Sequence, residues 1–232
     1  IYIDKEGRTW MGTDKGLSCY ADGIFKNYTT EDGLIANEIL SLLQDSKGNM
    51  WIGTETGLSI LSDGKFTSYS SKNGLVSDYA LTMIEDRAGI IWVGTYNGIS
   101  CYTGKGFVNY DRRHGFPNDK FFAIFQDREK NIWFGTTIGI SQLHYLRLQL
   151  LTAQNGLTNT YVWTIVEDEK EGFWFGTNGG IFRYRNGRFT SITKEDGLSG
   201  DTVYAIAIDK NTLWCGTHDG LNRVNLVTKE IK

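Results

Sequence analysis

Short apolar runs return along this chain at intervals of about forty residues, Ile39 to Leu43 and Val203 to Ile208 being clear cases, and each ends at an aspartate. Such runs are continuous rather than alternating, as expected of a short strand buried on both faces. After each aspartate come a turn and a second apolar strand carrying the tetrad Trp-x-Gly-Thr. The tetrads begin at Trp10, Trp51, Trp92, Trp133, Trp174 and Trp214, with spacings of 41, 41, 41, 41 and 40. A glycine stands six residues after every one of these tryptophans, at Gly16, Gly57, Gly98, Gly139, Gly180 and Gly220, and a Leu or Ile follows it. A third strand begins there, as in Leu17 to Tyr20. A fourth is marked by aromatic pairs such as Phe25 with Tyr28 or Phe66 with Tyr69, and then by a second glycine with a large apolar neighbour, such as Gly33-Leu34. The preceding aspartates are Asp4, Asp45, Asp86, Asp127, Asp168 and Asp209.

Several landmarks held in register over six copies identify an internal repeat, and four short strands per copy predict a β-propeller. Helical repeats of similar length are excluded, because glycines break every copy too often for a helix. The expectation is an all-β, single domain over residues 1–232 with six four-stranded antiparallel blades. These begin near Ile1, Ile39, Ala80, Phe121, Val162 and Val203. The alternative is the six-blade portion of a seven-bladed ring, since copy one starts partway through a strand and copy six stops before a full fourth strand. Ser41, Thr82, Ala123, Thr164 and Ala205 share one slot of the first strand and are all small, as crowding near a central axis requires. Trp10, Trp51, Trp92, Trp133, Trp174 and Trp214 are expected to be structural wedges between blades, each costing about 3–5 kcal/mol on truncation to Ala. The repeated aspartate reads as a turn former, with Asp45 to Gly48 a hairpin between strands one and two. Copy four departs from the pattern, with Leu148 and Leu151 in place of the aromatics and Lys130 in place of the turn glycine.

Composition narrows the function classes. Twenty-eight glycines stand against one proline, and seven Trp, twelve Tyr and twelve Phe suit many tight turns between well-packed strands. The net charge is -3 with no basic block, which argues against nucleic acid as a partner. No apolar run reaches the length of a membrane helix. Cys19, Cys101 and Cys215 have neither disulfide-framework nor zinc spacing and read as small buried hydrophobes. No motif calls for a cofactor or a metal. Asp14, Glu55, Asp78 and Asp201 could meet around a cation, but no dense acidic loop supports that.

A unit of the form Asp-x-x-Gly-x-x-Trp-x-Gly-Thr-x-x-Gly-Leu, then Phe-x-x-Tyr, then a Gly-Leu turn, resembles the two-component regulator propeller repeat. Asp45 to Leu58, Phe66 to Tyr69 and Gly74-Leu75 carry the likeness. That resemblance implies a non-catalytic ligand-sensing module of a bacterial signalling receptor, periplasmic or extracellular, joined to neighbouring receptor domains. It also implies a small polar ligand, such as an oligosaccharide. A protein interaction scaffold is the alternative, and a propeller enzyme similar to streptogramin lyase a second.

In a propeller the strand two-to-three turns and the strand four-to-one connections gather at one end of the channel, and loops on a rigid scaffold carry binding residues. The first set holds Asp14, Glu55, Tyr96, Thr137, Asn178 and His218, six different residues after six identical threonines. The second holds Asn37, Asp78, Asp119, Thr160 and Asp201, with Tyr79, Lys120 and Tyr161 beside them and Trp163 and Tyr204 just inside the next strand. Aromatic rings mixed with carboxylates and amides suit sugars, which stack on rings and donate hydroxyl protons to oxygens. Catalysis draws on little: of His114, His144 and His218, only His218 falls among these loops, with Asp219 beside it.

Overall fold

Each copy of the repeat forms one antiparallel sheet. In the computed structural model, which describes residues 1–116, 120–144, 147–169 and 172–232, five sheets have four strands and the sixth has three. In every sheet the strands lie side by side in chain order, from first to outermost. Blade two is representative, with strands Ile39–Gln44, Met50–Thr54, Leu58–Ser62 and Lys65–Tyr69. Blades three to six begin at Ala80, Phe121, Val162 and Val203, and blade one at Tyr2. Blade six has Val203–Asp209, Thr212–Thr217 and Gly220–Asn225, with an isolated bridge from Val224 to Ile231 where a fourth strand would stand. The chain forms two compact units, residues 1–121 with blades one to three, and residues 122–232 with nearly all of blades four to six.

Local chemistry explains the turns. Asp22-Gly23, Asp63-Gly64 and Asn186-Gly187 close the strand three-to-four hairpins with both residues at positive φ, 51° and 82°, 49° and 75°, and 51° and 77°. That geometry matches the strand twist and favours Asp or Asn before Gly. Lys130 takes the same left-handed conformation, φ 71°, that Gly48 takes at 89° in blade two, so the missing glycine of copy four leaves the turn intact. Between blades the chain makes a turn the repeat pattern did not reveal. Short 3-10 helices at Thr30–Asp32, Arg112–His114, Ala153–Asn155 and Lys194–Asp196 each carry a capping box and end at a left-handed glycine. The apolar residue after that glycine is buried, as with Leu34, Leu157 and Leu198.

The tetrad divides three tasks among its residues. In blades one to five the tryptophan indole N–H donates to a carboxylate oxygen of the aspartate six residues earlier, at 2.7–3.0 Å. The other oxygen accepts backbone N–H groups of the turn, as from Lys47 at 3.0 Å and Asn49 at 2.8 Å in blade two. The aspartate is thus a turn former and also an indole acceptor, a second role the spacing alone did not disclose. The threonine hydroxyl donates to the carbonyl of the glycine three residues on in all six blades, at 2.8–3.0 Å. The glycine makes room for the next blade: a Cβ on Gly53 would lie 2.4 Å from the Ala80 carbonyl oxygen, and one on Gly176 2.6 Å from that of Val203.

Four of the tetrad tryptophans pack, within their units, against residues of the following blade. Trp10 packs in a cluster with Met50 and Ile52, and Trp51 with Met83, Ile91 and Val93. In the second unit Trp133 packs with Ile165 and Phe175, and Trp174 with Val203, Ile206 and Leu213. Trp214 departs from the expectation. It is 40% exposed, its aspartate stands five residues back rather than six, and no blade follows it within its unit. Blade six buries Ile206, Leu213, Cys215 and Val224 on one face and leaves Trp214 and Leu221 exposed on the other. Cys19, Cys101 and Cys215 are free and buried, and burial pushes the Cys215 thiol up to about 11, so these are packing residues rather than nucleophiles.

Candidate functional site

The two sets of connections meet in pairs. The backbone N–H of Asn178 donates to the Tyr161 carbonyl at 3.2 Å, and that of His218 to Thr202 at 3.1 Å. Thr160 Oγ1 donates to the Thr137 carbonyl at 3.2 Å. In blades five and six the strand two-to-three turn thus sits on the connection entering its own blade, and in blade four it meets the connection leaving it.

In blades two, three, five and six a bulge then re-aims one residue. Where the first strand enters the sheet its register slips, so that Val162 pairs with Thr177 and Thr164 with Gly176, leaving Trp163 as the extra residue. Tyr204 occupies the same position in blade six, between Val203 and Ala205. Bulges of this kind redirect a side chain from the regular pleat.

In the second unit the result is a continuous aromatic row. Phe122 stacks on Tyr161 at 5.2 Å between ring centroids and lies 4.9 Å from Trp163. Trp163 is 4.9 Å from Tyr161 and 5.4 Å from Tyr204. Its indole N–H donates to Asn178 Oδ1 at 2.6 Å, which fixes the ring. Tyr204 at the end of the row is 49% exposed. In the first unit Tyr79 and Tyr96 stack almost parallel, 4.7 Å apart at 6°, and Lys120 Nζ lies 5.2 Å from the Tyr96 centroid, within cation–π range.

Six of the residues singled out by sequence, namely Tyr79, Tyr96, Lys120, Tyr161, Trp163 and Tyr204, thus enter one or other cluster, and Asn178 supports the second. Phe122 was missed. It holds the slot of Leu40, Leu81, Trp163 and Tyr204, and aligning that slot across the copies would have found it.

Other candidates serve the turns. One side-chain oxygen of Asn37, Asp78 and Asp201 accepts the backbone N–H of Thr30, Ser71 and Lys194, at 2.9, 2.6 and 2.8 Å, clasping the turn seven residues back. Asp14 is exposed and Glu55 half-buried. Asp119 lies outside the described residues. Among the described residues no group of three or more His, Cys, Asp or Glu side chains comes together as a metal site, and no helix is long and apolar enough to cross a membrane. His218 is exposed, and its ring makes no hydrogen bond among the described residues.

Comparison with known proteins agrees with this architecture. The family model for the two-component regulator propeller matches residues 33–56, 74–97, 115–137 and 156–179. No curated protein matches the chain. Among solved structures, the extracellular domain of a protein described as a hybrid two-component system of B. thetaiotaomicron superposes with a TM-score of 0.82 at 24% identity, over 95% of this chain and 32% of that one. A second extracellular domain from the same organism, described as belonging to a one-component system, gives 0.84 at 21% identity, over 100% and 34%. Virginiamycin B lyase from Staphylococcus aureus gives 0.77 at 18% identity, over 100% and 81%. The chain spans about a third of the length of the two extracellular domains it matches. Six antiparallel sheets, written by one repeat and superposable on these structures, make this chain a β-propeller, and four stretches of it match the two-component regulator propeller model.

Proposed function

We propose that this propeller is a non-catalytic part of the extracellular or periplasmic sensing region of a two-component receptor, and that it takes a saccharide on its strand four-to-one edge. The observation that carries the reading is the row Phe122, Tyr161, Trp163 and Tyr204, in which bulges deliver Trp163 and Tyr204 and Asn178 holds Trp163. Sugar rings present C–H faces that stack on aromatic surface, while their hydroxyls pair with nearby amides and carboxylates. The family match and the extracellular neighbours support the receptor setting.

Titration calorimetry against a panel of oligosaccharides tests it. Binding of one member, weakened about tenfold in Trp163→Ala with the fold intact, is expected, since a stacked ring contributes roughly 0.5–1.5 kcal/mol beyond the area it buries. Absence of binding across the panel, or equal binding by the variant, refutes it. Tyr96→Ala reports the corresponding contribution of the first unit. A second reading, an interaction scaffold, draws on the exposed Trp214 and Leu221 face of blade six. It predicts concentration-dependent self-association or domain docking that Trp214→Ser abolishes. The lyase reading needs a histidine poised beside a carboxylate, and the exposed His218 ring has no such partner among the described residues.

A further inference from the structure

At the opposite end of blade five from the aromatic row, its third and fourth strands, Gly180–Arg185 and Arg188–Ile192, carry three arginines on one face. Register places Arg183 beside Trp174 on one side and Thr190 on the other, and sets Arg185 directly across from Arg188. Like charges facing each other across a ladder are destabilising. Neither Arg185 nor Arg188 makes an ion pair among the described residues.

Arg183 is held from behind. Its Nη2 donates to Asp168 Oδ2 at 2.5 Å and its guanidinium lies 4.9 Å from the Trp174 ring. Gly172 leaves the space it needs, since a Cβ there would come within 3.0 Å of Arg183 Nε. That same Nε is buried and has no hydrogen-bond partner among the described residues. A buried charged donor left unmatched costs on the order of what a charged hydrogen bond contributes, so packing alone does not account for an arginine here.

Arg183 and Arg185 line a cavity of about 240 Å³ between blades five and six, together with Lys210, Lys229 and Leu226. The carboxylates on its wall are Asp168, already committed to Trp174 and Arg183, and Glu169, which makes no ion pair among the described residues. Four cations thus face two carboxylates in a chain whose net charge is -3. Only the full set belongs to this blade: blade six also puts an arginine, Arg223, opposite its tetrad tryptophan, but has Asn225 two residues further on. Opposite the tetrad tryptophan, blades one to four put Cys19, Ile60, Cys101 and Gln142 where blade five puts Arg183. Two residues further on they have Ala21, Ser62, Thr103 and His144 where blade five has Arg185.

We infer that this cavity is an oxyanion site, taking a sulfate, phosphate or carboxylate group between Arg183, Arg185 and the two lysines, with Arg188 adding to the field at its rim. Guanidinium forks match such groups geometrically and carry their charge without titrating. The site is separate from the saccharide edge and stands whether or not that edge binds sugar.

Calorimetry on the full chain, with sodium sulfate, sodium phosphate and sodium acetate each titrated against chloride at matched ionic strength, tests the assignment. Saturable binding of at least one anion is expected, weakened about tenfold or more in the Arg185→Ala/Arg188→Ala double variant. That variant should melt no lower than the parent in chloride, because both side chains are exposed and repel each other. Trp163→Ala should bind the anion like the parent, which separates this site from the sugar edge. Sulfate or phosphate without acetate would specify a tetrahedral group, and acetate alone a carboxylate. No saturable heat with any anion, or equal affinity in the double variant, overturns the proposal.

Discussion

Replacing Asp45 with Ala removes one carboxylate that accepts four hydrogen bonds: from the Lys47 and Asn49 backbones, from Asn49 Nδ2, and from the Trp51 indole at 2.9 Å. Trp51 is 2% exposed, so water cannot replace the lost acceptor for its N–H. A stranded buried donor costs about 1–3 kcal/mol, and the three turn donors, partly reached by water, add a similar amount, for a total of about 3–5 kcal/mol. Trp51→Phe keeps most of the ring and removes the donor, costing about 2–4 kcal/mol. The two changes should not add. Once the indole N–H is gone, losing the carboxylate strands one donor fewer, so a double-mutant cycle should show about 1.5–3 kcal/mol of coupling. Blade six supplies the control. Asp209 is exposed and makes no such bond to Trp214, so Asp209→Ala should change stability by less than about 0.5 kcal/mol. Urea unfolding followed by tryptophan fluorescence gives all four values. Coupling below about 0.5 kcal/mol, or an Asp209 variant as damaged as the Asp45 one, would refute the claim that the indole–carboxylate bond pins the blade.

The same carboxylate makes an acid prediction. Burial alone would raise the Asp45 pKa, yet the Trp51, Asn49 and backbone donors outweigh it and hold the group below its ordinary value; Asp4 is held down likewise by Trp10 and Arg8. A carboxyl depressed on folding stabilises fully above its unfolded pKa, near 3.9, and that contribution disappears as pH falls through the lower folded value. Unfolding midpoints over roughly pH 2–6 should therefore fall less steeply toward acid in Asp45→Asn than in the parent. Gly53→Ala would place a Cβ 2.2 Å from Ser41 Oγ and 2.4 Å from the Ala80 carbonyl oxygen, for a loss of about 1–3 kcal/mol. Gly216→Ala, whose new Cβ meets nothing nearer than 3.9 Å, should be close to neutral by the same unfolding assay. Asp78→Ala releases the Ser71 backbone N–H and should cost about 1 kcal/mol, read as a melting temperature lower by about 2–4 °C. An unchanged melting temperature would show that the clasp holds nothing.

Much of the fold could be read directly because each blade repeats a complete set of local instructions. Tetrads, turn glycines and apolar runs give strand number and order before any tertiary contact is considered. The site was less legible, for a physical reason visible in two groups of residues. Asn37, Asp78 and Asp201 looked like ligand contacts because a turn clasp and a binding loop draw on the same polar residues; only the backbone N–H seven residues back separates the two roles. Phe122 was overlooked because a bulge, which one line of sequence does not display, turns its slot in blades five and six out of the pleat and into the aromatic row.

The amino-acid order by itself determined the repeat, the strand menu and the turn chemistry, since each depends on residues within one forty-residue copy. Tertiary structure alone decided which partner each conserved-looking letter meets. The aspartate finds an indole, the tetrad glycine finds the next blade's backbone, and Arg183 finds a carboxylate behind it. Those pairings arise between strands and between blades, where distance in space no longer follows distance along the chain. The last tetrad shows this most plainly: Trp214 begins the same Trp-x-Gly-Thr as Trp51, yet it is 40% exposed where Trp51 is buried.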